Sequence, residues 1–192
     1  RSYFKSYEPG TGEFLGEAPV MGPDEVGGAV AKARRAQESW GALSVEERCK
    51  RVIRFRDAIV DREEELTDLL SRETGKPLQE ALLHEISPTA TVATYFAKKG
   101  PELLAPREVP LVMLKHRKSV LHYVPRGIVG FITPWNFPFY MPLRDIFLAL
   151  IAGNGVVNLS WTAPAANGGT ALTGYKVQVL AGETLIQTIP LT

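Results

Sequence analysis

The sequence predicts an α/β chain: N-terminal helices, a strand pair, the start of a βαβ sheet, and an all-β tail. Three observations predict it. Apolar residues recur at helical spacing from Asp24 to about residue 100. The run Gly127-Ile128-Val129-Gly130-Phe131-Ile132 is continuously apolar, as a buried parallel strand is. Beyond Val157, apolar and polar residues alternate with no helical period.

Taken in order, Tyr7 to Glu13 holds one Pro and two Gly, which mark turns between short extended pieces. Between Asp24 and Trp40, the residues Val26, Val30, Ala33 and Trp40 fall on one helical face. Ser44-Val45-Glu46-Glu47 reads as a capping box opening the next helix. The buried face of that helix is expected to be Cys49, Val52, Ile53, the stem of Arg56, Ile59 and Val60. A third helix carries Leu66, Leu69 and Leu70 and stops near Gly75, which can take the left-handed conformation. Pro77 suits the first turn of a further helix through Leu82, and Pro88 kinks or restarts it before Val92 and Phe96. Val109–Met113 and Ser119–Tyr123 are expected to pair. The apolar strand after them ends at Thr133-Pro134-Trp135-Asn136, a helix runs from about Phe137 to Ala152, and Val156-Val157 begins another strand. That succession is the start of a Rossmann-like βαβ unit.

Composition excludes several classes. With 22 Lys and Arg against 21 Asp and Glu, the net charge of +1 gives no reason to expect nucleic acid as a partner. No apolar run approaches the length that spans a bilayer, and none behind Arg1 resembles a signal peptide. The first residue is not Met, as expected of a segment of a longer gene product. Cys49 is the only cysteine, so no intrachain disulfide can form, and a reducing, cytoplasmic compartment fits. His84, His116 and His122 lack the paired spacing of metal ligands. Cys49 lies on the apolar stripe of its helix, which makes it a packing residue rather than a nucleophile.

Four motifs, in order, carry a resemblance. They are Glu8-Pro9-Gly10-Thr11-Gly12-Glu13; Glu73-Thr74-Gly75-Lys76-Pro77 followed by Glu80-Ala81; Pro125-Arg126-Gly127-Ile128-Val129-Gly130; and Thr133-Pro134-Trp135-Asn136-Phe137-Pro138. Over residues 1–157 the chain resembles the aldehyde dehydrogenase superfamily. The resemblance implies NAD(P)-dependent oxidation of an aldehyde to a carboxylic acid. By it, Asn136 matches the oxyanion-binding asparagine, Ile132, Thr133, Pro134 and Trp135 border the NAD or NADP, and Phe137 and Met141 line the aldehyde channel. An amide donor aimed at an oxygen that becomes negative stabilises the transition state more than the substrate. The resemblance also implies a homo-oligomer formed through the strands near 109–123.

The chain departs from the family's pattern in two respects. Asn158 stands where the family's lysine holds the adenosine ribose, which removes that contact. Neither the catalytic cysteine nor the general-base glutamate is found in these 192 residues, so no turnover is expected of the chain by itself. The tail has its own resemblance. Val157-Asn158-Leu159-Ser160-Trp161, Asn167-Gly168-Gly169 and Thr173-Gly174-Tyr175-Lys176-Val177 resemble the first strands of a fibronectin type III module. This implies two parts, a dehydrogenase segment over 1–155 and a partial β-sandwich over 156–192. The alternatives to a truncated dehydrogenase are a non-catalytic interaction or structural fragment, and an engineered chimera with no biological role.

Overall fold

Pro9 and the two glycines beside it reverse the chain between β1 (Tyr3–Tyr7) and β2 (Phe14–Pro19), which pair antiparallel from Tyr3↔Pro19 to Tyr7↔Phe14. Gly12, at φ +74°, donates its N–H to the Glu8 carbonyl at 2.8 Å, a turn that a side chain would strain. The computed structural model describes residues 3–113, 116–159, 175–181 and 184–191 and divides the chain into two compact units, Arg1–Ser160 and Trp161–Thr192.

In the first unit, α1 (Pro23–Gly41), α2 (Val45–Asp61), α3 (Glu63–Thr74), α4 (Leu78–Ala81) and α5 (Ser87–Leu103) follow the hairpin. Ser44 caps α2, accepting from Glu47 N at 3.2 Å. Glu47 turns instead toward Lys50 and Arg51; at α1 the glutamate half of such a box forms, Gly22 N donating to Glu25 Oε2 at 3.0 Å, while Gly22 has no side chain to return the bond. Gly75 ends α3 at φ +74°, as its lack of Cβ allows. Between α4 and α5 the residues Leu82–Ile86 form one π-helical turn, which brings the chain to Pro88 near the start of α5 without a break. Pro101, expected to end the helical part, is carried inside α5.

The core joins Cys49, Val52 and Ile59 of α2, Leu70 of α3, Ala81, Ile86, Ala93 and Ala97, with Phe147 and Ile151 from a later helix. Two expected core positions are corrected: Val60 is 46% exposed and Leu69 is 47% exposed. Each lies next to a residue that centres the buried stripe, Ile59 or Leu70, and one residue turns a helix by about 100°. Gly100 sits where α5 comes closest to its neighbours; a Cβ there would lie 2.7 Å from Ile151 Cγ2 and 3.1 Å from Cys49 Sγ.

β3 (Arg107–Val109) and β4 (Ser119–Leu121) pair antiparallel, Arg107 opposite Leu121. The pair exists as expected, but its first strand lies earlier than Val109–Met113, because Pro110 cannot donate to the ladder. Next come β5 (Ile128–Ile132), α6 (Tyr140–Ile151) and β6 (Gly155–Leu159). β5 and β6 are parallel, Ile128 opposite Gly155 and Ile132 opposite Leu159, so the βαβ unit forms as read from the sequence. α1 and α6 both pack on this pair. At Gly155 a Cβ would meet Gln37 Cβ at 2.9 Å and the Ala33 carbonyl at 3.0 Å, so α1 approaches to backbone distance.

The described part of the second unit is a hairpin, β7 (Tyr175–Ala181) against β8 (Thr184–Leu191), with Tyr175 opposite Leu191. The expected partial sandwich is corrected to this extent: a sandwich needs two packed sheets, and the described residues of this unit supply one two-stranded sheet. Trp161 and Asn167-Gly168-Gly169 lie outside the described residues.

Candidate functional site

The predicted site residues are gathered by one turn of chain, the connection from the C-terminal end of β5 to the N-terminus of α6. Ile132 closes β5 opposite Leu159, and Thr133 follows it, both half-buried. Pro134, Trp135 and Asn136 project outward, Trp135 with 79% of its surface exposed. Phe137 returns to a half-buried position, and Met141 lies half-buried in the first turn of α6. The C-terminal end of a parallel strand is where open α/β sheets hold ligands. The side-chain amide of Asn136 is exposed and makes no hydrogen bond among the described residues. It is therefore free to donate to a ligand oxygen. The side chain of Asn158 lies outside the described ones, while its backbone pairs with Phe131 in β6.

Two residues that sequence reasoning passed over hold this turn. Glu85, in the π-helical turn, is fully buried at 0% exposure. Its Oε2 accepts from Phe139 N at 3.0 Å and Tyr140 N at 3.1 Å, and its Oε1 takes the ammonium of Lys76. Lys76 also donates to the backbone carbonyl of Asn136 at 2.6 Å and lies 4.3 Å from the centre of the Phe137 ring. A buried carboxylate is costly unless paired and hydrogen-bonded, and Glu85 is both. The N–H groups at the start of α6 are thus already occupied and are not left for a phosphate. A signal was available: Glu85 falls on the helical stripe shared by Ala81, Thr89 and Ala93, where a charge is out of place.

The other end of the same helix is held by donors. Arg48 donates through Nε to the Ile151 carbonyl at 2.9 Å and through Nη1 to the Leu43 carbonyl. Trp40 Nε1 reaches the Leu150 carbonyl at 2.8 Å, and Gln37 Nε2 the Gly153 carbonyl at 3.0 Å. Asn154 then ties β6 to β5, accepting from Arg126 N at 2.7 Å and Gly127 N at 3.1 Å. A hollow of about 500 Å³ between α1, α6 and β6, lined by Gln37, Trp40, Leu150 and Gly155, includes none of the predicted site residues.

Cys49 is 6% exposed and packs against Gly100. Burial pushes its thiol above the usual range, with the neighbouring Arg48 opposing, so it has none of the thiolate character of a nucleophile. No group of three metal-binding side chains occurs among the described residues, and none of the described helices is long and apolar enough to cross a membrane.

Residues 1–171 match the aldehyde dehydrogenase family. The match runs past the expected junction at 155/156. The N-succinylglutamate 5-semialdehyde dehydrogenase of Burkholderia mallei (strain SAVP1) is 41% identical over 158 residues, 80% of this chain and 31% of that protein. Among solved structures, succinate-semialdehyde dehydrogenase from Burkholderia pseudomallei superposes with a TM-score of 0.76 at 33% identity, covering 83% of this chain and 32% of the other. PnpE in complex with nicotinamide adenine dinucleotide superposes with a TM-score of 0.76 at 28% identity, covering 83% and 32%. The chain spans about a third of the length of the relatives it matches. On these grounds the chain belongs to the aldehyde dehydrogenase family.

Proposed function

We infer that these residues form the N-terminal part of an NAD(P)-dependent enzyme that oxidises an aldehyde to a carboxylic acid. In it Asn136 donates to the developing oxyanion, Ile132, Thr133, Pro134 and Trp135 border the cofactor, and Phe137 and Met141 line the aldehyde channel. The observation that carries the reading is the exposed Asn136 amide, without a hydrogen bond among the described residues, just past the C-terminal end of β5. The turn fits a nicotinamide cofactor: a half-buried strand end beside an exposed indole and ring proline gives apolar surface, and the charge that reaches the turn, Lys76, is paired with Glu85. The cofactor, when bound, supplies the hydride acceptor. This chain's own residues supply an oriented donor and an apolar wall. Nucleophile and general base are not supplied by these 192 residues, whose single thiol is buried, so the chain alone does not turn over aldehyde.

Two measurements test this. Millimolar NAD or NADP added to the ¹⁵N-labelled chain shifts the amides of Ile132, Thr133, Trp135 and Asn136; unshifted amides there remove the cofactor assignment. With cofactor and a panel of aldehydes, no reduced nicotinamide forms above background. A rate abolished by Cys49→Ala reverses that part.

A second reading, a non-catalytic interaction piece, is favoured by the apolar surface around β3 and β4. Val109, Val112, Met113, Val120 and Leu121 are exposed there, as an oligomer through this pair would use. A discrete dimer or tetramer in sedimentation supports it, and a monomer dismisses it. The likeness of the tail to a fibronectin type III module rests on its sequence alone, and the aldehyde dehydrogenase match through residue 171 takes in its first two motifs.

A further inference from the structure

The amide of Asn136 is exposed and has no partner among the described residues, so only the backbone aims it. That backbone is gripped from behind. An ammonium has three N–H donors. Lys76 gives one to Glu85 Oε1, one to the Asn136 carbonyl at 2.6 Å, and sets its remaining charge 4.3 Å from the Phe137 ring centre. Two of its three donors are thus turned inward, to a buried carboxylate and to the backbone. Glu85 in turn takes Phe139 N and Tyr140 N. Together the two side chains fix a carbonyl, a ring and two N–H groups within five consecutive residues, and they reach them across 54 to 60 residues of sequence.

We propose that Lys76 and Glu85 are positioning residues for the oxyanion donor, a buried ion pair that sets the direction of the Asn136 amide by pinning its own carbonyl and the chain just after it. The proposal rests on the role given to Asn136 above. A donor of this kind acts only when held close to its productive geometry, and a loop with an exposed tip does not provide that by itself.

The ¹⁵N-labelled 192-residue chain tests it through Lys76→Met, which keeps the stem and removes the charge, Lys76→Arg, and Glu85→Gln. In Lys76→Met the Asn136 side-chain resonances move and the amides of Phe139 and Tyr140 exchange faster by about tenfold or more, while α2 and α5 keep their protection. Lys76→Arg recovers most of the protection, and Glu85→Gln, which keeps an acceptor but no charge, falls between. Unmoved Asn136 resonances in Lys76→Met overturn the proposal. So does a uniform loss of protection through α2 and α5, or failure of that variant to fold, since either marks a plain stabilising contact. The cofactor titration separates the two readings. Brace effects without cofactor shifts at 132–136 remove the site and spare the brace; shifts with no effect of Lys76→Met do the reverse.

Discussion

At its first turn α6 meets Glu85, and at its last it meets Arg48, both buried and both drawn from the helical layer. Each charge complements the end of the helix dipole it faces, the anion at the N-terminus and the cation at the C-terminus. The means differ. Glu85 carries its own counter-ion, Lys76, which continues outward to the candidate site. Among the described residues Arg48 hydrogen-bonds to carbonyls alone, and burial lowers its guanidinium below the usual value. The end that faces the candidate site is held by a chain of paired charges that continues to the Asn136 carbonyl. The end that faces the core is held by a single cation that passes on nothing.

Breaking either end separates the two. Glu85→Ala leaves Lys76 without its counter-ion and two buried N–H groups unpaired; a loss of about 4 kcal/mol is expected in urea denaturation. Arg48→Met keeps most of the stem and frees two carbonyls, costing about 3 kcal/mol by the same measurement, with the Asn136 resonances unmoved. Equal movement of those resonances in both variants would erase the contrast. Gly100→Ala sharpens it by pressing on Ile151 and Cys49 at the C-terminal end only, with an expected loss of about 2 kcal/mol in thermal or urea midpoint. Asn154→Ala, beyond that end, loses its contacts to Arg126 N and Gly127 N and costs about 1.5 kcal/mol, read as faster exchange of those two amides.

The smallest effect is a pH dependence. The folded Cys49 thiol titrates above its unfolded value, so the native state holds its proton longer. That contribution is fully present below the unfolded thiol pKa, about 8.5, and is lost as pH rises through the folded value. Stability measured from neutral pH upward therefore falls more steeply in the parent than in Cys49→Ala, and parallel curves would contradict the burial argument.

The elements that sequence alone made legible are those whose signal is local. The apolar run at Ile128–Ile132, the cap at Ser44 and the left-handed Gly75 each state their role within a few residues. The turn from Ile132 to Met141 can be singled out as a candidate site from sequence for the same reason, its motif being contiguous. Glu85, Lys76 and Arg48 were not, because their partners lie 54, 60 and 103 residues away and a charge in a helical sequence reads as a solvated face. Nothing beside Arg48 in the sequence points to the carbonyl of Ile151, which ends a helix packed against it. The extent of β3 was misplaced by Pro110, whose missing N–H outweighs the apolar run after it.

The wide turn at Leu82–Ile86 bears on how this segment can change in length. A π-helical turn is an α-helix with one residue more than the register needs. Removing one exposed residue there, such as Leu83, would restore ordinary winding and leave the helix on either side close to its present register. Ala81 would keep its place in the core, and the Lys76 ammonium its reach to the Asn136 carbonyl. Between Leu82 and Ile86, then, a one-residue deletion that spares Glu85 is a milder change than one elsewhere in these helices, where every side chain beyond the cut would turn by about 100°.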